Sequence, residues 1–125
     1  GGEPRLTAGM AGKGRRRSSV SATFDRVRAL VRQNDWRASD HAIVRMAEQG
    51  ILGSALADRI DDGVVVEDYP SYHAGPCVLV LHYDEIGPVH AVWGIEKGTD
   101  RPAVLVTAYR PDPTRWQNDY RTRKP

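Results

Sequence analysis

Apolar residues Phe24, Val27, Leu30 and Val31 recur at helical spacing, which predicts a first helix from about Thr23 to Gln33. Asn34-Asp35 ends it, and Trp36 opens the compact region. Ser39 is a good N-cap for a second helix through Gln49, and Gly50 is placed to stop it in the left-handed conformation. Leu52 to Asp61 reads as a short third helix with Leu52, Leu56 and Ile60 on one face, stopped by Gly63. After Gly63 the period changes. Val64 to Tyr69 is β-branched and aromatic, hence a strand, and Pro70 to Pro76 is a loop. Cys77–Tyr83, Val89–Ile95 and Ala103–Tyr109 are three further strands, with Lys97 to Asp100 as a turn and Pro111 and Pro113 ending the last. Helices followed by a run of strands with short connections imply an α+β fold: N-terminal helices on one face of a four-stranded antiparallel meander.

Length and composition narrow this picture. The 125 residues suffice for one hydrophobic core, and 40% apolar with 27% charged residues is ordinary for a globular domain. No run approaches the roughly 18 apolar residues of a membrane-crossing helix, so no membrane role is expected. The first fourteen residues hold no apolar stretch resembling the core of a secretory signal. Cys77 stands alone, which excludes an internal disulfide, fits a reducing and hence cytoplasmic setting, and reads as a small buried hydrophobe.

The net charge of +2 conceals an uneven distribution. Residues 1–20 carry Arg5, Lys13, Arg15, Arg16 and Arg17 against Glu3, and residues 110–125 carry Arg110, Arg115, Arg121, Arg123 and Lys124 against Asp112 and Asp119. The stretch between is acidic. The expected organisation is a disordered basic tail over 1–20, a single α+β domain over 21–117, and a basic C-terminal tail over 118–125. Basic ends can grip phosphate or an acidic partner, whereas an acidic body argues against a whole-domain nucleic-acid clamp.

The strand pair around Asp84-Glu85-Ile86-Gly87-Pro88 suggests a three-residue hairpin loop, Glu85 to Gly87, with the glycine left-handed. That loop pairs Tyr83 with Val89, His82 with His90, and Leu79 with Trp93. One face then carries Leu79, Leu81, Tyr83, Val89, Ala91, Trp93 and Ile95 and packs on the helices. The other carries Val78, Val80, His82, His90, Val92 and Gly94, so two histidines stand side by side on an open sheet face. Paired imidazoles can serve as general acid and base, or remain polar groups on a wet face. No third ligand lies at a recognisable spacing, so neither a metal nor another cofactor is expected.

In the second helix, His41 and Arg45 are one turn apart with Glu48 on the same stripe, and Ile43, Met46 and Ala47 form the expected core face. Such a stripe can bind phosphate and move protons, or simply face water.

Three segments carry a family resemblance: Ser39 to Ile51 with its His-Ala-x-x-Arg-Met core, Glu67-Asp68-Tyr69-Pro70, and Val106 to Pro113 with Trp116. Spanning Trp36 to Trp116, the chain resembles the domain-of-unknown-function family numbered forty-two fifty-eight. That family's element order is similar to BrnT and, more loosely, to RelE and ParE toxins, several of which are metal-independent ribonucleases acting from the open sheet face, while others poison gyrase. The resemblance matches His41, Arg45, His90, Thr107, Tyr109 and Arg110 to the family pattern. The chain departs from it at Gln49, where Arg or Lys is usual, and at Leu52, where a capping Ser or Thr is usual. The second departure suggests a later start for the third helix, capped by Ser54.

Two functions follow. Cleavage of an RNA substrate through its 2′-hydroxyl needs a base, an acid and a cation. His82 or His90 could supply the first two, with His41 as an alternative acid and Arg45 or Arg110 as the cation, while Tyr69 and Tyr109 stack or orient. The alternative is a non-catalytic module whose open face or edge docks an antitoxin or another protein, with His41 and Arg45 securing the helix–strand junction against Glu67 or Asp68. Clustering of His82, His90, Arg45 and Tyr109 around one cleft would favour catalysis.

Overall fold

The computed structural model describes residues 20–125. The expected disordered basic tail over 1–20 therefore lies outside the described residues, apart from Val20.

Helix α1 (Ala22–Arg32) is capped by Ser21, whose Oγ accepts from the Phe24 amide at 3.0 Å, and it buries Thr23, Phe24, Val27 and Val31. Asn34, with φ of 60°, turns the chain into β1 (Trp36–Ala38). This strand was not legible beforehand, because three residues are too few to display a period. Ser39 then does two jobs. Its hydroxyl oxygen accepts from the Ala42 amide at 3.0 Å, starting α2 (Asp40–Gln49), and its proton goes to the Val106 carbonyl at 2.7 Å. Gly50 ends α2 with φ of 66°, the left-handed cap the sequence called for. Helix α3 (Gly53–Asp58) starts at Gly53 rather than after Ser54; Leu52 occupies its N-cap without a side-chain bond. A single 3₁₀ turn, Ile60–Asp62, completes the helical half, so the expected third helix is shorter and broken.

Strands β2 (Val64–Tyr69), β3 (Cys77–Tyr83), β4 (Pro88–Gly94) and β5 (Ala103–Tyr109) form the predicted antiparallel meander. The sheet is nonetheless five-stranded and mixed, in the order β1-β5-β4-β3-β2, because β1 adds in parallel to β5. The four-stranded antiparallel expectation is corrected accordingly.

The hairpin register also differs. Tyr83 pairs with Pro88, His82 with Val89, Leu81 with His90 and Val78 with Trp93. The loop holds four residues, Asp84 to Gly87, because the Asp84 carboxylate accepts from the amides of Ile86 and Gly87, each at 3.0 Å, and the Asp84 amide donates to the Gly87 carbonyl at 3.0 Å. One added residue turns β3 over relative to β4. Val78, Val80 and His82 now join Val89, Ala91 and Trp93 beneath the helices, whereas Leu79 and Leu81 share the other face with His90 and Val92.

Both faces are buried. The first core packs Phe24, Val27, Met46, Leu56 and Ile60 from the helices on Val78, Val80, Ala91, Trp93 and Leu105. The second joins Val66, Tyr69, Leu79, Leu81 and Val92 to Trp116, which is 1% exposed. Trp116 belongs to a C-terminal hook in which Gln117 donates to Thr122, Lys124 to Arg115, and Trp116 bridges Arg123. The Asp119 carboxylate shapes its turn by accepting from the amides of Arg121 and Thr122. The sheet face expected to stand open is covered by this hook.

Candidate functional site

Helix α2 packs on β5 with Ala42 and Met46 buried and Arg45 and Gln49 half-buried. The expected core face of Ile43, Met46 and Ala47 is thus corrected: Ile43 is 55% exposed and Ala47 faces solvent, since the inward positions are 42, 45, 46 and 49. The expected His41–Arg45–Glu48 stripe also separates. His41 and Glu48 remain exposed, while Arg45 turns inward and places its guanidinium carbon 5.8 Å from the centre of the Tyr109 ring.

On the second face, β4 and β5 set His90 opposite Tyr109, their rings edge to face at 5.7 Å. Trp116 stands perpendicular to His90 at 4.5 Å, and the Tyr120 carbonyl lies 2.6 Å from His90 Nε2. A carbonyl only accepts, so Nε2 carries the proton and Nδ1 holds a lone pair. That Nδ1 and the nearby Thr107 hydroxyl, both buried, find no hydrogen-bond partner among the described residues. Burial, despite the carbonyl contact, pulls the His90 pKa down to about 4. At the β2 edge of the same face, buried Glu67 accepts from the Tyr69 hydroxyl at 2.6 Å and from Arg123 at 3.1 and 3.3 Å. Arg123 also stacks over Trp116, 4.6 Å from the ring centre, so the hook is held by charge, stacking and burial together.

His82 lies on the opposite side of the sheet. The Trp93 indole N–H donates to His82 Nε2 at 3.1 Å, which requires a lone pair there and hence a neutral ring. Burial lowers its pKa to about 4, consistent with that geometry. The expected adjacent histidine pair therefore does not exist. Both imidazoles are neutral at physiological pH, one in each core.

Arg110 is committed elsewhere. It grips Asp84 through two bonds of 2.8 Å, and its amide donates to Gln49 Oε1 at 2.6 Å. The guanidinium beside Asp84 holds that carboxyl down at about 2. Gln49, the departure from the usual family residue, thus ties the end of α2 to the end of β5. Of the six expected site residues, Tyr109 meets both Arg45 and His90; His41, His82 and Arg110 stand apart from these contacts.

Sequence reasoning overlooked Trp116 as a cover for the sheet and Arg123 as the partner of Glu67. A glutamate inside the β-branched run Val64 to Tyr69 was the available signal, since a buried carboxylate demands a cation. It also overlooked a groove of about 390 Å³ between the start of α3 and the β3–β4 hairpin. Leu52, Tyr83 and Ile86 line it at 70%, 56% and 74% exposure, and Asp58 and Glu85 add negative charge at its rim.

The chain is thus a small α+β domain whose mixed sheet is buried on both faces. It belongs to the family described as Domain of unknown function (DUF4258), which it matches over residues 38–110, leaving α1 and the hook outside the matched stretch. No curated protein and no solved structure matches the chain. Among the described residues no helix is long and apolar enough to cross a membrane.

Proposed function

We propose that this domain is a protein-binding module rather than a RelE- or BrnT-like ribonuclease, and that it docks its partner at the groove between α3 and the β3–β4 hairpin. One observation carries the reading: the histidines best suited to acid–base work are sealed in opposite cores, while three large apolar side chains stand open around one groove. Leu52, Tyr83 and Ile86 have no structural need to face water, and clustered exposed apolar groups favour association. Asp58 and Glu85 make no ion pair with a described residue, whereas Arg59 is engaged by Asp62 and Asp84 by Arg110. The rim is consequently acidic. The matching partner segment presents an apolar side chain flanked by lysine or arginine.

The test compares the intact chain with His90→Ala and Leu52→Asp/Ile86→Asp variants in a bacterial host, following growth, total RNA and capture by a photo-crosslinker placed at position 83. The expected result is intact RNA throughout and a crosslinked partner with the wild type and His90→Ala, lost in the folded Asp variant. RNA degradation by the wild type that His90→Ala abolishes would overturn the proposal and restore the ribonuclease reading.

A further inference from the structure

At the other end of β3, a second cavity of about 450 Å³ opens on the hook side of the sheet, beside the short edge strand β1. Its floor is apolar, formed by Val104 and Val106 of β5, and Tyr72 supplies one wall. Gly94 keeps the floor low: a Cβ there would lie 3.1 Å from both the Cys77 Cβ and the Pro76 carbonyl oxygen. The wall is held rigidly. Gly75 donates to the Tyr72 carbonyl at 3.0 Å, Lys97 to Ala74 at 3.1 Å, and Ile95 to Pro76 at 3.1 Å. The volume falls within the range of about 300–1,000 Å³ typical of small-molecule sites.

Two charges line this apolar space, Arg37 from β1 and Glu96 from the segment after β4. Neither side chain makes a hydrogen bond or ion pair with a described residue. A simple anion would meet Arg37 but be opposed by Glu96; a simple cation would meet the reverse. Phosphate would find a single cation where it ordinarily uses several donors. A ligand bearing both charges on a compact apolar body leaves neither side chain uncompensated. We infer that this cavity binds a small zwitterion of the α-amino-acid type, with its carboxylate on Arg37, its ammonium on Glu96, and an aliphatic side chain on Val104 and Val106. Cys77 and Tyr83 stand at opposite ends of β3, about 20 Å apart at the rise of a strand, so the inference is independent of the docking groove.

The probe is L-leucine, titrated into the isotope-labelled full chain and followed through the backbone amide signals of Val104 and Val106. N-acetyl-leucine lacks the cation and leucinamide lacks the anion. Leucine is expected to shift those signals saturably, with at least five-fold weaker binding for each analogue and for the Arg37→Gln and Glu96→Gln variants. Both residues are exposed and without partners among the described residues, so unchanged thermal melts are expected and confirm folding. Absence of a saturable shift with leucine overturns the inference. So does a loss smaller than five-fold for either analogue, which would make the site one for a simple anion or cation.

Discussion

Placing a neutral histidine against an indole N–H has a measurable cost in acid. The His82 pKa falls from about 6.5 in the unfolded chain to about 4 in the fold, because burial opposes the charge more strongly than Asp62 favours it. The folded state therefore refuses a proton that the unfolded state accepts. Stability is undiminished above pH 6.5 and declines as pH falls from there towards 4. Proton linkage through this group alone gives a loss of about 1 kcal/mol at pH 5.5 and roughly 2 to 3 kcal/mol at pH 4.5. His90, with its pKa also near 4, contributes a similar amount, so the wild type should lose roughly twice as much. Asp84, held at about 2, loses its contribution only at lower pH and does not confound this window. Urea unfolding followed by tryptophan fluorescence at pH 7.5, 5.5 and 4.5 reads the loss directly. His82→Gln retains an acceptor for the Trp93 N–H but has no proton to gain, so its loss between pH 7.5 and 4.5 should be about half the wild type's. An equal loss in the two proteins, or a His82 ring signal titrating near pH 6.5, would refute the reasoning.

Removing the hook's anchor by Trp116→Ala should cost about 3–5 kcal/mol in urea unfolding and raise the His90 pKa towards 6.5 in an NMR titration, because relief of the burial that holds it down outweighs any loosening of the Tyr120 carbonyl contact, which favours the proton. The Asp84–Arg110 pair has side chains only 14% and 22% exposed, so Asp84→Asn or Arg110→Ala should each lose about 2 kcal/mol. A double-mutant cycle should return a coupling of about 1–2 kcal/mol that changes little with salt. Gly75→Ala should destabilise by about 2 kcal/mol or more, since φ is +124° and the new Cβ would lie 2.2 Å from the Ile95 carbonyl oxygen. Gly98→Ala, with φ of +80° and open space around it, should cost about 1 kcal/mol, with both glycine substitutions measured by urea unfolding.

What could be read from the sequence was what is decided locally. Ser39 and Gly50 bracket α2 because a hydroxyl cap and a left-handed glycine act within one turn of their own position. The strands of the meander were legible from β-branched composition. The hairpin register was not, and the reason is physical. A strand buried on one face alternates, and its alternation fixes which residues face inward. Every residue from Cys77 to His82 is buried, so the run carries no such mark, and a single carboxylate bonding two loop amides decides the orientation. The histidine pair depended on that register and fell with it. The hook escaped notice because Pro111, Pro113 and five basic residues look like solvated chain, and only Trp116 and the lone Glu67 hinted at burial. Clustering of His82, His90, Arg45 and Tyr109 around one cleft was the arrangement expected of a catalyst; instead Tyr109 meets His90 inside a closed core and half-buried Arg45 from the helix side, with His82 in the other core.

The parallel seam between β1 and β5 has a kinetic consequence. The β3–β4 hairpin joins residues close in sequence, whereas Trp36 must find Ala103. Closing so long an intervening chain is entropically slow, and it is rewarded only once β5 already lies on β4. Assembly should therefore begin at the hairpin and end at β1. Conservative substitutions in β1 should then speed unfolding while leaving the folding rate nearly unchanged, and changes at Val80 or Ala91 should slow folding. The strand that completes the sheet, and that borders the Arg37 cavity, would be the last to form and the first to leave.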